Sequence, residues 1–272
     1  MSRFSSRPPS GAGEGRRGRV RLSALALCAI ASVAGGPLHA QLVVDPFEVT
    51  LTTAGSARVT GSFSLANTSD VPVQATITRQ DWDRAENGDN RFLPAGSTGT
   101  SCGAMLSATP VSVRVEPRSA RIVRLAVQGA AALQKECWDI FFVEEVPQRA
   151  GVRGNSLRYI FRTGVKVYVA PPGLKRDGAV EDMAVEGRRI SVRFRNSGGS
   201  HLLAKGHLEF RRLDNSLAAK AAIPEFPTLP GAVREVSLDF PAEVTAGEYV
   251  VLALIDFGGA ELVAGQIDLQ VK

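Results

Sequence analysis

Residues 157–169 read Leu-Arg-Tyr-Ile-Phe-Arg-Thr-Gly-Val-Lys-Val-Tyr-Val, a run in which apolar side chains recur at alternate positions. Successive side chains of a β-strand point to opposite faces, so one face would carry an apolar row. The row consists of Leu157, Tyr159, Phe161, Val165, Val167 and Val169. At about 3.3 Å per residue the strand would be roughly 43 Å long, more than a small sandwich needs. The pattern fits equally a central strand and an edge strand that a partner covers.

The same alternation recurs on both sides of this segment, with Gly, Pro, Asn and Asp between the runs. Ala170-Pro171-Pro172-Gly173 interrupts it, since prolines lack a backbone donor and glycine permits a sharp turn. The pattern predicts an all-β protein of two immunoglobulin-like β-sandwich domains, at 41–170 and 174–272, without a helix of useful length. The predicted strands are 42–51, 58–66, 73–82, 111–115, 121–127, 138–146, 157–169, 190–195, 203–211, 233–240, 249–255 and 261–271.

Residues 1–40 have the pattern of an export signal. Arginines at 16–21 precede the apolar run 22–33, and the segment ends in Pro37-Leu38-His39-Ala40. We expect cleavage after Ala40 and a periplasmic protein; a general secretory signal fits better than a twin-arginine one. No later run is long enough to span a membrane. Removal of the signal leaves 26 basic and 26 acidic residues, so the charge indicates no nucleic-acid or membrane-surface partner.

Two cysteines remain after the predicted cleavage, Cys102 and Cys137. An even number in an oxidising compartment favours a disulfide over a metal site. Closing that loop would stabilise the fold by about 4 kcal/mol in the chain-entropy model. Two separate buried thiols are the alternative, because sequence alone does not show that the sulfurs meet.

A formal G-x-S-x-G match at 99–103 raises the alternative of a secreted serine hydrolase with Ser101 as nucleophile. A nucleophile elbow needs a strand before the serine and a helix after it, whereas these flanks indicate a loop entering a strand. The candidate bases, His201 and His207, lie in the other predicted domain and lack metal-ligand spacing. We therefore expect no enzyme, no catalytic residue, no metal and no cofactor.

Two aromatic residues are interpreted as structural. Gly247-Glu248-Tyr249-Val250 resembles a tyrosine corner, in which the hydroxyl bonds back to the preceding turn. Trp82 falls at the end of a predicted strand and is expected in the core.

The segments around residue 166 resemble the last two strands of the first domain in PapD-like pilus chaperones. They are Glu145-Val146-Pro147, then 155–163, and Val165-Lys166-Val167-Tyr168-Val169-Ala170-Pro171. The similarity extends over essentially the whole chain after residue 40. Further matching segments are Asp45-Pro46-Phe47, Ser64-Leu65-Ala66-Asn67, Val115-Glu116-Pro117, Val123-Arg124-Leu125 and Leu254-Ile255-Asp256-Phe257-Gly258-Gly259.

This resemblance implies a function and a set of site residues. In that family the last strand is lent to an incomplete pilus subunit until an outer-membrane usher receives the subunit. The resemblance therefore implies pilus or other surface-fibre subunits as partners, and possibly an usher. It places the donor row at Leu157, Tyr159, Phe161 and Val165. It makes Lys166 the anchor of the subunit's C-terminal carboxylate, a task suited to an ammonium point charge.

Three positions bear on how far the resemblance extends. The family pairs its anchor lysine with an arginine on the first strand, where this chain has Glu48. A second family arginine, linked to the other domain, is replaced by Ala170, although Asp256 matches its interdomain acidic partner. An adaptor that kept the fold and lost the subunit site is therefore the alternative to a chaperone.

Overall fold

The structure is a computed structural model that describes residues 42–53, 58–147 and 160–272. The predicted signal at 1–40 and the predicted donor positions Leu157 and Tyr159 lie outside these residues. Within them the chain forms β-strands and two short 3-10 helices, Gly103–Met105 and Ala130–Ala132. No helix in this part of the chain is long and apolar enough to cross a bilayer.

The first sandwich packs two sheets face to face. One has the antiparallel order β1-β3-β8-β6, and the other has the order β2-β10-β9-β4-β5, with β7 also paired to β4. The apolar side chains that face inward from both sheets form one core. The strands are β1 Leu42–Asp45, β2 Glu48–Thr52, β3 Arg58–Asn67, β4 Val73–Arg84, β5 Asn90–Leu93, β6 Leu106–Thr109, β7 Ser112–Val115, β8 Ala120–Gln128, β9 Cys137–Glu145 and β10 Arg162–Ala170.

The second sandwich has the sheets β11-β12-β15 and β14-β13-β16-β17 around a separate core. The Tyr249 hydroxyl donates a hydrogen bond to the Thr245 carbonyl at 3.0 Å, which confirms the predicted tyrosine corner. The prediction of two immunoglobulin-like β-sandwiches is confirmed. The strands are β11 Gly178–Glu186, β12 Arg189–Asn196, β13 Leu202–Arg211, β14 Leu217–Thr228, β15 Val233–Asp239, β16 Gly247–Asp256 and β17 Val263–Val271.

Each described sheet takes its strands from one side of Pro171-Pro172-Gly173 only. We therefore keep the proposal that the domain boundary lies there.

The predicted disulfide is present. Cys102 and Cys137 are bonded, with their Cα atoms 5.0 Å apart. Cys137 begins β9, and Cys102 lies just before the 3-10 helix that leads into β6 of the facing sheet, so the bond ties β9 to the loop before β6.

The strand boundaries differ from the prediction in ways that have physical causes. The predicted strand 42–51 is two strands in different sheets, because the chain crosses between them at Pro46-Phe47. Strand β14 was not predicted, since it contains Pro224 and Pro227. It lies at a sheet edge, where prolines are tolerated. Strand β11, also an edge strand, was not predicted either. A register shift between Val180 and Asp182 interrupts the alternation of its side chains.

Candidate functional site

Strand β10 is paired on both sides over only part of its length. It pairs with β9 from Arg162 to Val169 and in parallel with β2 from Lys166 to Ala170. Its C-terminal half is thus central in the sheet, whereas the stretch 162–165 has no strand on the β2 side among the described residues. The sequence left open whether this strand is central or at an edge. The C-terminal half is central, and the stretch 162–165 is an edge on the β2 side among the described residues.

The side chains of β10 divide between two faces. Val165, Val167 and Val169 are fully buried in the core of the first sandwich. Val165 cannot fill a partner's groove while it packs in this core, so we correct the predicted donor row to exclude it. Phe161 is partly buried just before the strand, and its carbonyl accepts a hydrogen bond from the Glu145 backbone N–H at 3.2 Å.

The opposite face of this sheet carries an aromatic cluster that lies between the two sandwiches. The Trp138 indole N–H donates to the Trp82 carbonyl at 2.9 Å, and the rings of Trp82 and Tyr168 meet edge to face. Trp82 is fully buried, as expected, but outside the core of the first sandwich, because it points away from that core. The cluster consists of Trp82, Trp138, Ile140, Phe142, Tyr168 and, from the second sandwich, Leu229.

A cavity of about 350 Å³ adjoins this cluster and is lined by residues of both sandwiches. Lys166, Arg84 and Glu48 line it on one side, and Arg176 and His201 line it on the other. We call this cavity the cleft.

Lys166 is a partly buried cation in the cleft. Its Nζ lies 5.1 Å from the centre of the Trp82 ring. Burial lowers the pKa of the Lys166 ammonium and the charge of Arg84 lowers it further, while Glu48 acts in the opposite direction. Among the described residues no carboxylate lies within 4.0 Å of Lys166. The predicted anchor therefore has no protein counter-ion in direct contact.

Arg84 is a second cation in the cleft, and sequence analysis missed it. Its guanidinium carbon lies 5.6 Å from the centre of the Trp82 ring, and its Nη1 donates to the Gly88 carbonyl at 2.8 Å. Burial is the main cause that lowers the pKa of Arg84. The alternation of β4 puts positions 82 and 84 on one face, which was the available signal. It did not show that this face meets Lys166.

Glu48 lies beside Lys166, since the two residues are register partners on β2 and β10. Its carboxylate nevertheless reaches across the cleft, and its Oε1 lies 3.9 Å from His201 Nε2.

His201 belongs to a contact between the sandwiches. The imidazole Nδ1 of His201 lies 2.8 Å from one oxygen of the buried Glu136 carboxylate. The other oxygen accepts a hydrogen bond from the backbone N–H of His201. The imidazole stacks on Tyr168 with the ring centres 3.8 Å apart. No group of three or more potential metal ligands occurs in the described residues. His201 therefore holds the two sandwiches together, and with Tyr168 it forms one wall of the cleft.

A second interdomain contact involves the turn between β4 and β5. The Glu86 carboxylate pairs with the Arg193 guanidinium at 2.6 Å. The backbone carbonyl of Glu86 accepts a hydrogen bond from the Glu235 N–H at 2.8 Å. Asp256, predicted as an interdomain residue, is exposed and accepts from the Gly258 N–H at 2.9 Å. It has no ion pair with the first sandwich among the described residues, which corrects that prediction. Glu86 and Glu136 make the interdomain contacts instead.

Ser101 lies in a loop that a short 3-10 helix follows. Its hydroxyl donates to the buried Asp139 carboxylate at 2.8 Å. Residues 41–170 contain no histidine that could act as a base for it. This setting agrees with the interpretation of the G-x-S-x-G match as part of a loop that enters a strand.

Residues 43–175 match the family described as pili and flagellar-assembly chaperones, PapD N-terminal domain. No protein among those with curated function matches the chain significantly.

Solved structures of similar fold include the class 5 fimbriae chaperone CfaA, at 13% identity and a TM-score of 0.52, covering 85% of this chain and 99% of that one. A chaperone–tip adhesin complex of CFA/I fimbriae biogenesis matches at 12% identity and a TM-score of 0.53, covering 84% of this chain and 98% of that one. The CsuC–CsuE chaperone–tip adhesion subunit complex of Acinetobacter baumannii matches at 11% identity and a TM-score of 0.50, covering 84% of this chain and 98% of that one. At these identities the likeness concerns the fold.

Proposed function

We propose that this chain, whose residues 43–175 match the PapD N-terminal domain of pili and flagellar-assembly chaperones, binds and caps subunits of pili or similar surface fibres by β-strand donation, for delivery to an outer-membrane usher. The matching family is one of chaperones, not of enzymes. PapD-like chaperones are periplasmic, and we propose that residues 1–40 export this chain to the same compartment.

The observation that carries the proposal is the position of Lys166. This cation, which has no carboxylate of the described residues within 4.0 Å, lies in the cleft where β2 begins to pair with β10. Immediately before it, the stretch 162–165 has no described strand on its β2 side. A subunit strand can hydrogen-bond there to the main chain while the subunit's terminal carboxylate reaches Lys166.

The apolar part of the contact falls to Phe161 and to positions before it. Full burial of a phenylalanine side chain in a subunit groove stabilises a complex by about 1.5–3 kcal/mol. The main-chain hydrogen bonds would position the strand, while the side chains in the groove would select the subunit.

The test is capture of secreted β-rich subunits encoded by the same organism, co-expressed with the tagged full-length chain. We expect the wild-type chain to retain a subunit that degrades or aggregates when expressed alone. Lys166→Ala should weaken retention, and Arg91→Ala, which changes an exposed arginine paired with Asp83, should not. A chain that retains no subunit but still folds would favour the adaptor function.

A further inference from the structure

We infer that the client's C-terminal carboxylate is bound between Lys166 and Arg84, on the β4 side of β10, rather than on the β2 side beside Glu48. This inference deepens the proposed function and rests on it. It makes Arg84 the second cation of the site, in a chain where the first-strand position is acidic.

The first support is that neither cation is in direct contact with a carboxylate of the described residues. Neither Lys166 nor Arg84 has a carboxylate within 4.0 Å among the described residues. Arg84 Nε is also buried without a hydrogen-bond acceptor in this part of the chain, and so is the Thr228 hydroxyl that lines the same cleft. A buried donor without an acceptor destabilises a folded protein, and a bound carboxylate would remove that cost.

The second support is the shared position of the two cations. Lys166 Nζ and the Arg84 guanidinium lie 5.1 and 5.6 Å from the centre of the same Trp82 ring. They are close enough for the charge of Arg84 to lower the pKa of Lys166. The buried aromatic cluster excludes water from one side of this pair, which strengthens the attraction for an anion. Both positive charges therefore act on an anion that enters the cleft.

The third support is the direction of Glu48. Its carboxylate lies 3.9 Å from His201 Nε2, on the wall that the second sandwich contributes. Glu136, at the other ring nitrogen, holds that imidazole in place. Glu48 therefore makes no direct ion pair with Lys166, and its negative charge repels a carboxylate from the β2 side of the cleft.

Arg84 also has a structural contact, the hydrogen bond from Nη1 to Gly88, and a test has to separate the two roles. Arg84→Gln removes the charge and keeps a side-chain amide that can donate to that carbonyl. Arg84→Lys keeps the charge. Arg91→Ala, on the neighbouring strand, is the matched control.

The probes are two synthetic peptides of the same alternating apolar sequence with a fluorescent label at the N-terminus. One ends in a free carboxylate and the other in an amide. Binding to the full chain is measured by fluorescence anisotropy. We expect the wild-type chain to prefer the acid, and Lys166→Ala and Arg84→Gln each to lower that preference about tenfold. Arg84→Lys should restore part of it, and Glu48→Gln should raise affinity for the acid.

The outcomes separate the inference from the function on which it rests. If Arg84→Gln weakens both peptides equally, or changes neither, while Lys166→Ala abolishes the preference, Arg84 is structural and the inference is overturned. If the wild-type chain does not prefer the acid, or binds neither peptide, the carboxylate anchor at Lys166 fails together with the inference.

Discussion

Asp139 is a buried carboxylate that the chain retains despite the cost of its charge. Burial raises the pKa of Asp139 from 3.8 to about 6, while the Ser101 hydroxyl and the charge of Arg79 act in the opposite direction. Between pH 3.8 and about 6, the folded protein therefore carries a proton on Asp139 that the unfolded chain has already lost. It follows that stability from this group is fully present below the unfolded pKa and is lost as pH rises through about 6.

We predict that Asp139→Asn flattens the pH dependence of the free energy of unfolding between about pH 4 and 6. The wild-type chain should lose stability on the order of 2 kcal/mol more than the variant across that interval. Urea unfolding at a series of pH values measures this. Asp70→Asn is the control, because Asp70 is exposed and its pKa is lowered by Arg118. A variant with the wild-type slope would contradict the prediction.

Strand β10 performs two tasks because its faces and its two halves differ. Val165 packs in the core of the chain itself, whereas Phe161, four positions earlier, is only partly buried and lies outside the buried core cluster. Gly164 between them allows close packing, since an added Cβ would lie 2.6 Å from Ile140 Cδ1. The strand is therefore held by β9 over both halves, while the β2 side of its first half has no strand among the described residues and is available to a partner.

We predict that Val165→Ala and Phe161→Ala separate stability from binding. Val165→Ala should lower the free energy of unfolding by about 2 kcal/mol through a core cavity. Phe161→Ala should weaken subunit retention about tenfold and leave the melting temperature nearly unchanged. Thermal melts and subunit capture are run side by side. A collapse of the melting transition in Phe161→Ala would place that residue in the core instead.

The disulfide links the first residue of β9 to the loop that precedes β6. We predict that replacing both Cys102 and Cys137 by alanine lowers the free energy of unfolding by about 2–4 kcal/mol. Addition of a reductant should destabilise the wild-type chain by a similar amount and leave the double variant unaffected. Equal responses of both proteins to the reductant would refute a structural contribution of the bond.

The two sandwiches meet through contacts that differ from those implied by the resemblance. Glu136 and Glu86 on the first sandwich bind His201 and Arg193 on the second, and the aromatic cluster buries Leu229 between them. The cleft lies at this junction, so its shape depends on how firmly the sandwiches are joined.

We predict that Glu136→Gln loosens the junction. The amide cannot reproduce the charge-assisted contacts of a buried carboxylate with the backbone and imidazole of His201. Distances between one spin label on each sandwich, measured by pulsed electron resonance, should broaden. Glu209→Gln is the matched control, because Glu209 contacts His207 and Arg211 within one sheet. An unchanged distance distribution in Glu136→Gln would show that the aromatic cluster and the contacts of Glu86 hold the junction without Glu136.

The sequence alone determined the class of fold, because period-two alternation and turn residues are local properties of the chain. It also predicted the Cys102–Cys137 bond, since only two cysteines remain after the expected cleavage, and the Tyr249 corner, whose hydrogen bond spans four positions; the structure confirms both.

The tertiary structure decided the composition of the cleft. Alternation shows that Lys166 and Val165 face opposite ways, but not which face is the core, and it does not say which strands are neighbours. Arg84 and Lys166 line one cleft because β9 pairs with both β4 and β10, and Glu136 contacts His201 only when the two sandwiches pack. These pairings form between residues far apart in the chain, where no local pattern records the partner.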